Sequence, residues 1–569
     1  MNFSTALAPY ARAFENKEAP FLHVHDFPGD GSVASRSFTR NQFWELGRKA
    51  AGVLTRAGVL PGQCFLHFFG ANRVADLAFR LGSAMTGAVP VTINWQADDR
   101  ERIIFKMELT DSLFLIHDHL ADASLLESVL KTNPNVKTWH VEGLQSEIPL
   151  EPERFYEELS VDDPKIIIFT SGTTGLPKGV CHAYSSYEVN KATFDQFLAI
   201  PNSWAALVVN PLHHANATAI SDWALRHPGA QIHLFERYST PFWKVLTEIS
   251  EQGLPRMITP LTARHFDFLE HLREQDALPV DLTRLKHAMA TIDFLIGSAP
   301  VGPSTVDRLL RYAARVPTVR FGSTETCLQV MGIPRYMLEQ ARLEAFKRGW
   351  SYQDGQRCGY FIGRPHQPYT EVRIVESVTP GEPGFMRDRE EGVPGYVVTR
   401  GGNLMTAYVK NPEGTEAVFH EDWYTGLLDV GYYLINPEDG RPDFYWMSRE
   451  SSLLIKGGAN YSYEQINHDL KLVLVEQCGF QPQHFDVAVV GLRLDSEHED
   501  NCCATVSLDH EMVQGKQEEV IYALKTLTRK SVRPDHVRFA HIPRNFKGAV
   551  TTPELKIQFK EWLDAKPGK

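Results

Sequence analysis

Three observations predict an α/β protein, multi-domain and α+β when taken whole. Short β-branched and aromatic runs alternate with longer segments of helical spacing along most of the chain. Near residue 370 the texture changes, and strands follow one another with turns between them. The 569 residues are several domains' worth of chain at about 100–200 residues each.

Each element has a local reason. In "SFTRNQFWELGRKAAGVLTRAGVL", Thr39 reads as a helix N-cap, apolar residues recur at helical spacing, and Gly58 reads as the stop. "QCFLHFF" reads as a buried strand. "ADLAFRLGSAMTGAV" reads as a helix ended by Gly87, with the strand "VPVTI" behind it. The same alternation continues at "SLFLIHD", "KIIIFT", "WAALVVN", "QIHLFE" and "MITP". Continuously apolar strands joined by helices predict mostly parallel sheets with both faces covered. "EVRIVE", "GYVVTR" and "FYWMSR" predict a small β-rich subdomain. The last stretch predicts a compact α+β unit: helices at "YEQINHDLKLVL" and "EEVIYALKTLTRKS", and strands at "DVAVVGLRL", "NCCATVSLD" and "HVRFAHI". The expected domains are 1–447 and 448–569.

Charge and composition exclude some functions. The net charge is −12, from 58 Lys+Arg against 70 Asp+Glu. Non-specific nucleic-acid binding needs a basic surface, so no nucleic-acid partner is expected. The seven cysteines show no C-x-x-C spacing, which points to reduced thiols rather than a disulfide framework. No apolar run has the length of a membrane helix, and the N-terminus carries no basic-then-apolar leader. A soluble, cytoplasmic protein without a transmembrane segment is expected. "HVH" at His23–His25 alternates like a strand, with both rings on one face that can look to solvent, and "PLHHANAT" pairs His213 with His214. Neither has a third ligand at suitable spacing, so zinc is not expected.

The most informative stretch is "FTSGTTGLPKGV", Phe169–Val180. A hydrophobic strand runs into a loop of glycines and hydroxyls ending in Lys178. Glycines let backbone N–H groups approach an anion, hydroxyls add donors, and a lysine supplies a point charge for phosphate oxygen. Pro177 before the lysine and Gly179 after it exclude a Walker A loop. No serine sits in G-x-S-x-G, which excludes a nucleophile elbow.

This string resembles the signature loop of the adenylate-forming superfamily of acyl-CoA synthetases, peptide-synthetase adenylation domains and luciferases. Further stretches resemble the same family in the same order. These are "IGSAPV" at Ile296–Val301, "FGSTET" at Phe321–Thr326, "GGNLMTAYVKNPEGT", and "DVAVVGLRLD" in the C-terminal unit. The resemblance runs from about residue 37 to about residue 562. It implies a large N-terminal domain of layered, mostly parallel sheets with helices and a small β-rich subdomain. A small mobile α+β domain would cap it.

The resemblance also implies an activity: ATP-dependent activation of a carboxylic acid as acyl-AMP, with pyrophosphate leaving, then thioester formation with CoA. Thr170, Ser171, Gly172, Thr173, Thr174 and Lys178 are implied to hold the phosphates. Gly297, Ser298 and Ala299 leave room for adenine, beside Phe321 and Gly322 of the second signature. Thr324 would donate to the α-phosphate. Glu325 supplies the carboxylate oxygen that a hard cation such as Mg²⁺ takes. His214, Asn216, Phe294 and Gln329 are implied to line the acyl pocket, with a mixed polarity unlike that of a site for a long plain alkyl chain.

Two stretches depart from the family pattern. The usual Thr-Gly-Asp is spread over "YTGLLD", where Leu427 and Leu428 separate Asp429 from Thr425-Gly426. Asp429 is expected to bind ribose, with the insertion absorbed in a bulge, and Arg449 to contact ribose or phosphate. In the C-terminal "IPRNFKGAV", Ala549 stands where the family has its lysine. Lys547 lies two residues earlier, on the same face of an extended segment, and is expected to substitute. Alternatively no lysine acts there, and the chain is a catalytically weak nucleotide- or acyl-binding protein. Free CoA is the expected acceptor because no carrier domain is fused; a separate carrier protein is the alternative.

Overall fold

The computed structural model describes residues 3–29, 31–170, 177–297, 300–352, 359–449, 452–456, 459–494, 500–508, 510–511, 513–528, 533–544 and 549–565. They fall into two units. The first comprises residues 1–344, 362–372 and 398–427; the second comprises 345–361, 373–397 and 428–569.

Two sheets build the first unit. One contains β1 (Pro20–Asp26) and β2 (Ala34–Thr39), and the other contains β3 (Cys64–Phe68), β4 (Val89–Thr92), β5 (Phe114–His117), β6 (Lys137–His140), β7 (Pro164–Phe169) and β8 (Gly179–Ala183). The first sheet continues with β9 (Trp204–Val208), β10 (Ala230–Phe235), β11 (Met257–Leu261), β12 (Ile292–Ile296), β13 (Thr318–Phe321) and β14 (Met331–Gly332). Among these strands the order in the first sheet is β14-β13-β12-β11-β9-β10-β1-β2, and in the second β8-β7-β4-β3-β5-β6. The run β13-β12-β11-β9-β10-β1 is parallel throughout, and so is β7-β4-β3-β5-β6. The mostly parallel sheets expected from the continuously apolar strands are present.

Helices lie between these sheets. They include α1 (Arg40–Ala57), α2 (Val74–Thr86), α3 (Tyr184–Leu198) and α4 (Ala215–Leu225). One contiguous core joins Val24 and Trp204 of one sheet, Phe65 and Ile116 of the other, and Leu54, Leu77, Phe194 and Trp223 of the helices. Thr39 caps α1 as expected: its side chain accepts from the Gln42 N–H, and the Gln42 side chain accepts from the Thr39 N–H. Gly58 ends α1 at φ 84°, a left-handed conformation open to glycine at no steric cost.

His23 and His25 share a face that is only partly open to solvent: His23 is half-buried, and its Nδ1 meets Ser37 Oγ at 2.8 Å. His25 is 7% exposed. Its ring stacks on His233 of β10 at 5.4 Å, and its Nε2 meets His233 Nδ1 at 3.1 Å. His233, on the hydrogen-bonded neighbouring strand, packs beside both rings on that face, which the alternation alone does not reveal.

In the second unit, β15 (Asp429–Ile435) and β16 (Pro442–Arg449) form an antiparallel pair. Antiparallel β17 (Asp486–Leu492) and β18 (Asn501–Ser507) are joined in parallel by β19 (His536–Phe539). The helices Tyr463–Cys478 and Thr552–Asp564 pack on this sheet through Ile466, Leu470, Leu555 and Phe559. No helix among the described residues is long and apolar enough to cross a membrane.

Candidate active site

The glycine-rich segment connects β7 to β8, whose antiparallel register pairs Phe169 with Gly179. One step further out, Thr170 N–H donates to the Lys178 carbonyl at 3.0 Å, and Lys178 N–H to Thr170 Oγ1 at 3.4 Å. Thr170 and Lys178 therefore close the neck of the loop. Ser171, Gly172, Thr173 and Thr174 lie outside the described residues, as do Ser298, Ala299 and Lys547.

Lys178 is brought to the second signature through a residue that sequence reasoning left unassigned. Ala407–Tyr408 forms a short antiparallel strand on β8. Lys178 Nζ sits 4.6 Å from the Tyr408 ring centroid, within cation–π range. The Tyr408 hydroxyl donates to Glu325 Oε1 at 3.1 Å. Burial, then the Glu325 charge, pushes the Tyr408 phenol up, so Tyr408 stays protonated and donates. Glu325 is thereby oriented by a tyrosine 83 residues away in sequence. A lone carboxylate with a fixed oxygen fits a cation bound mainly by phosphate oxygens and water. Among the described residues it belongs to no cluster of metal-ligating side chains.

The loop carrying Thr324 and Glu325 is moulded from outside. His182 Nε2–H donates to the Thr324 carbonyl at 2.7 Å. Asn403 Nδ2 donates to the carbonyls of Thr326 and Gln329, both at 2.8 Å, and Asn190 Nδ2 donates to that of Cys327. Burial pushes His182 down to about 4, so its ring is neutral and the carbonyl contact assigns the proton to Nε2. Cys327 and Leu328 hold φ values of 47° and 86°, costly for side-chain-bearing residues. Gly322 is required at the start of the loop. A Cβ there would lie 2.4 Å from the Leu328 carbonyl oxygen and 2.7 Å from Thr326 Oγ1. Asn403→Ala removes the donor of two buried carbonyls, at about 1–3 kcal/mol each. We expect about 2–4 kcal/mol of destabilisation in chemical unfolding, together with slower chemistry at the Glu325 loop. A loss below about 0.5 kcal/mol would show that the loop keeps its shape without it.

The implied acyl-pocket residues do not all share a surface. His214 is the N-cap residue of α4, and Asn216 lies buried in its first turn. Gln329 is 3% exposed, and its Nε2 donates to Thr193 Oγ1 on α3 at 3.2 Å. Phe294 packs on Phe266 at 5.6 Å and lines a cavity of about 210 Å³ with Leu309, Val316 and Met337. Gly297 is three residues further along, so alternation gives it the opposite face of the chain.

The second unit brings Asp429 and Arg449 together. They are direct partners across β15 and β16, and Arg449 Nε is 3.4 Å from Asp429 Oδ1. Trp446 Nε1 donates to the same oxygen at 2.9 Å. The insertion before Asp429 is absorbed by Leu428 at φ 53° and by a register shift between Val430 and Gly431. Ser462 Oγ donates to Glu464 Oε2 at 3.1 Å. Burial, with a further contribution from Asp429, pushes the Glu464 carboxyl up to about 7.

Sequence reasoning passed over His182, Asn190, Asn403 and Tyr408. Asn403 and Tyr408 lie within the quoted run "GGNLMTAYVKNPEGT", and His182 lies two residues beyond "FTSGTTGLPKGV". Their partners are remote in sequence, so only proximity to known motifs hinted at them.

A family model described as "AMP-binding enzyme" matches residues 11–409. A probable acyl-activating enzyme of Arabidopsis thaliana is 26% identical over 412 residues, 71% of this chain and 66% of that protein. A crotonobetaine/carnitine–CoA ligase of Proteus mirabilis is 24% identical over 546 residues, 92% of this chain and 93% of that ligase. In fold the chain resembles the o-succinylbenzoate CoA synthetase of Bacillus subtilis solved with an acyl-adenylate intermediate. The TM-score is 0.74 at 20% identity, over 100% of this chain and 99% of that one. The same synthetase in complex with ATP and magnesium ion gives a TM-score of 0.73 at 20% identity, over 97% and 99% of the two chains.

Proposed function

The chain belongs to the AMP-binding enzyme family, and from that premise we propose that it activates a carboxylic acid with ATP and passes the acyl group to CoA in the cytoplasm. The observation that carries this reading is the assembly of Lys178, Tyr408 and Glu325 from three distant motifs. The CoA ligases among its relatives support the acceptor.

In the first half-reaction a carboxylate oxygen of the acid attacks the α-phosphorus of ATP in line, the bond to the β-phosphate breaks, and pyrophosphate leaves. Phosphoryl transfer needs positioning and charge neutralisation more than covalent help. Lys178, with Thr170, Ser171, Gly172, Thr173 and Thr174, would neutralise and hold the departing phosphates. Thr324, steadied by His182 at its carbonyl, would donate to the α-phosphate. Glu325, aimed by Tyr408, would hold Mg²⁺, which when bound neutralises phosphate charge. Gly297, Ser298 and Ala299 would lie against adenine beside Phe321 and Gly322. His214, Asn216, Phe294 and Gln329 remain the proposed acyl-pocket residues. Asp429 and Arg449 would hold the ribose, Asp429 as acceptor. In the second half-reaction the CoA thiolate attacks the acyl carbonyl carbon and AMP leaves. We assign residues 448–569 as the mobile cap that brings Lys547 to the first step.

The test is AMP release from ATP with a panel of carboxylic acids, with and without CoA. Turnover that requires both acid and CoA supports the proposal. Turnover only with a carrier protein assigns a different acceptor, and ATP binding without AMP release on any acid defeats it. For the cap, Lys547→Ala is expected to slow adenylation by about 10²-fold while sparing thioester formation from preformed acyl-adenylate. Unchanged adenylation would remove Lys547 from the mechanism.

A further inference from the structure

The cavity of about 210 Å³ beside Phe294 has two kinds of wall. Ile292, Leu309, Val316 and Met337 are buried and give it an apolar interior. Arg315 and Arg335 line it with side chains that are 34% and 43% exposed, so their guanidinium groups stand at its mouth. Asp293, Glu339 and Arg342 complete the charged part.

Three arginines share one carboxylate there. Asp293 Oδ2 accepts from Arg256 Nε at 2.6 Å and from Arg335 Nη1 at 2.8 Å, and its Oδ1 accepts from Arg315 Nη1 at 2.8 Å. Arg342 is held by backbone: its Nε donates to the Met337 carbonyl at 2.8 Å, and its Nη2 to those of Arg335 and Pro334 at 3.0 and 3.3 Å. Burial pushes the guanidinium groups of Arg256 and Arg342 down, and the charges of Arg335 and Arg315 add to the effect. Four guanidinium groups thus gather around the carboxylates of Asp293 and Glu339, which leaves positive charge in excess. Arginine is a fork of several N–H donors. Arg315 and Arg335 each turn only Nη1 to Asp293, and the rest of each fork is open to a ligand.

This cavity is separate from the site assigned to ATP. Ile292 and Phe294 lie on the face of β12 opposite Gly297. Asp293 precedes Gly297 on the same strand by about 13 Å of extended chain. Neither Lys178 nor Glu325 lines the cavity, and of the residues proposed for the acyl pocket only Phe294 does.

We propose that the cavity is a second ligand site, which binds a small organic carboxylate with its head on Arg315 and Arg335 and its apolar body against Leu309, Val316 and Met337. The planar forks match a carboxylate through paired N–H···O bonds, and one bound carboxylate offsets part of the excess charge. The volume equals that of about seven waters, which suits a chain of about six carbons. The ligand is not the acid being activated, whose carboxylate must reach the α-phosphate. The site stands on its own residues and does not depend on the acid-activation reading.

The experiment is calorimetry on the full chain without nucleotide. Hexanoate is the probe; hexan-1-ol, hexylammonium and inorganic phosphate are the controls for charge, sign and the apolar body. Hexanoate is expected to bind with a Kd of about 1 mM or below, and each control about tenfold more weakly or worse. Arg315→Gln and Arg335→Gln are each expected to weaken hexanoate about tenfold, and the double substitution further. Hexanoate held in the acyl pocket instead would bind the variants as it binds the unsubstituted protein, so binding left unchanged by the double substitution overturns the proposal. So does the absence of hexanoate binding, or a control that binds as tightly as hexanoate. The thermal midpoint reports whether the variants fold. Should the arginine variants fail to fold, Leu309→Phe, which fills the apolar end, is expected to lose hexanoate binding, and unchanged binding by it overturns the proposal.

Discussion

Glu325→Gln is expected to lower acid-dependent AMP formation by about 10²–10³-fold with little change in stability. The amide is isosteric with the carboxylate, and its oxygen can still accept from the Tyr408 hydroxyl, which lies 3.1 Å from Glu325 Oε1. The contacts that shape the loop go to backbone carbonyls of Thr324, Thr326, Cys327 and Gln329, and the substitution leaves them in place. What is lost is the negative charge beside the phosphates, and with it the oxygen ligand that a hard cation prefers. The decisive readout is therefore a pair: a much slower first step, measured as pyrophosphate release, and an unchanged thermal midpoint. The apparent affinity for Mg²⁺ should weaken in parallel. A rate within about threefold of the unsubstituted protein would exclude Glu325 from the chemistry.

The thermal midpoint of the first unit is expected to be flat above about pH 6.5 and to fall steeply between about pH 6.5 and pH 4. Burial pushes His25, His182 and His265 each down to about 4, and His366 to about 3. The sign follows from which state binds protons. Below about 6.5 the unfolded chain protonates these rings, while the folded unit resists until about pH 4. Stability is thus fully present above the unfolded value and lost as pH falls through the folded one. Each shift is worth about 3 kcal/mol, and four together on the order of 10 kcal/mol. That is comparable with the whole stability of an ordinary domain. Glu464, in the other unit, runs the opposite way. Its carboxyl is held up to about 7, so its contribution is present below about 4.5 and lost as pH rises through about 7. Scanning calorimetry across pH 4–8 measures both. A midpoint that stays constant down to pH 5 would show that the buried histidines charge without cost, contrary to their surroundings.

Some of this could be read directly from the chain. Thr39 and Gly58 bound the first long helix as their chemistry requires, and the continuously apolar strands pair in parallel. "FTSGTTGLPKGV" connects a buried strand to its antiparallel neighbour, with Thr170 and Lys178 at the neck. Cap, stop and strand patterns are set by neighbours within a few residues, which is why they are legible. The histidines of "HVH" show the limit: alternation put them on one face, but His233 on the adjoining strand packs beside both rings there, and His25 ends up buried.

By itself the sequence determined the order of elements, the motifs "FTSGTTGLPKGV" and "FGSTET", and Glu325 as the carboxylate that the second of them carries. Each is a local matter of residue type and spacing. Only the tertiary structure decided that Tyr408 aims Glu325, that His182 and Asn403 shape its loop, and that Arg256, Arg315 and Arg335 converge on Asp293. A hydrogen bond acts over about 3 Å of space whatever the separation along the chain. Residues more than 70 positions apart, such as Asn403 and Thr326, meet only after the sheets have formed.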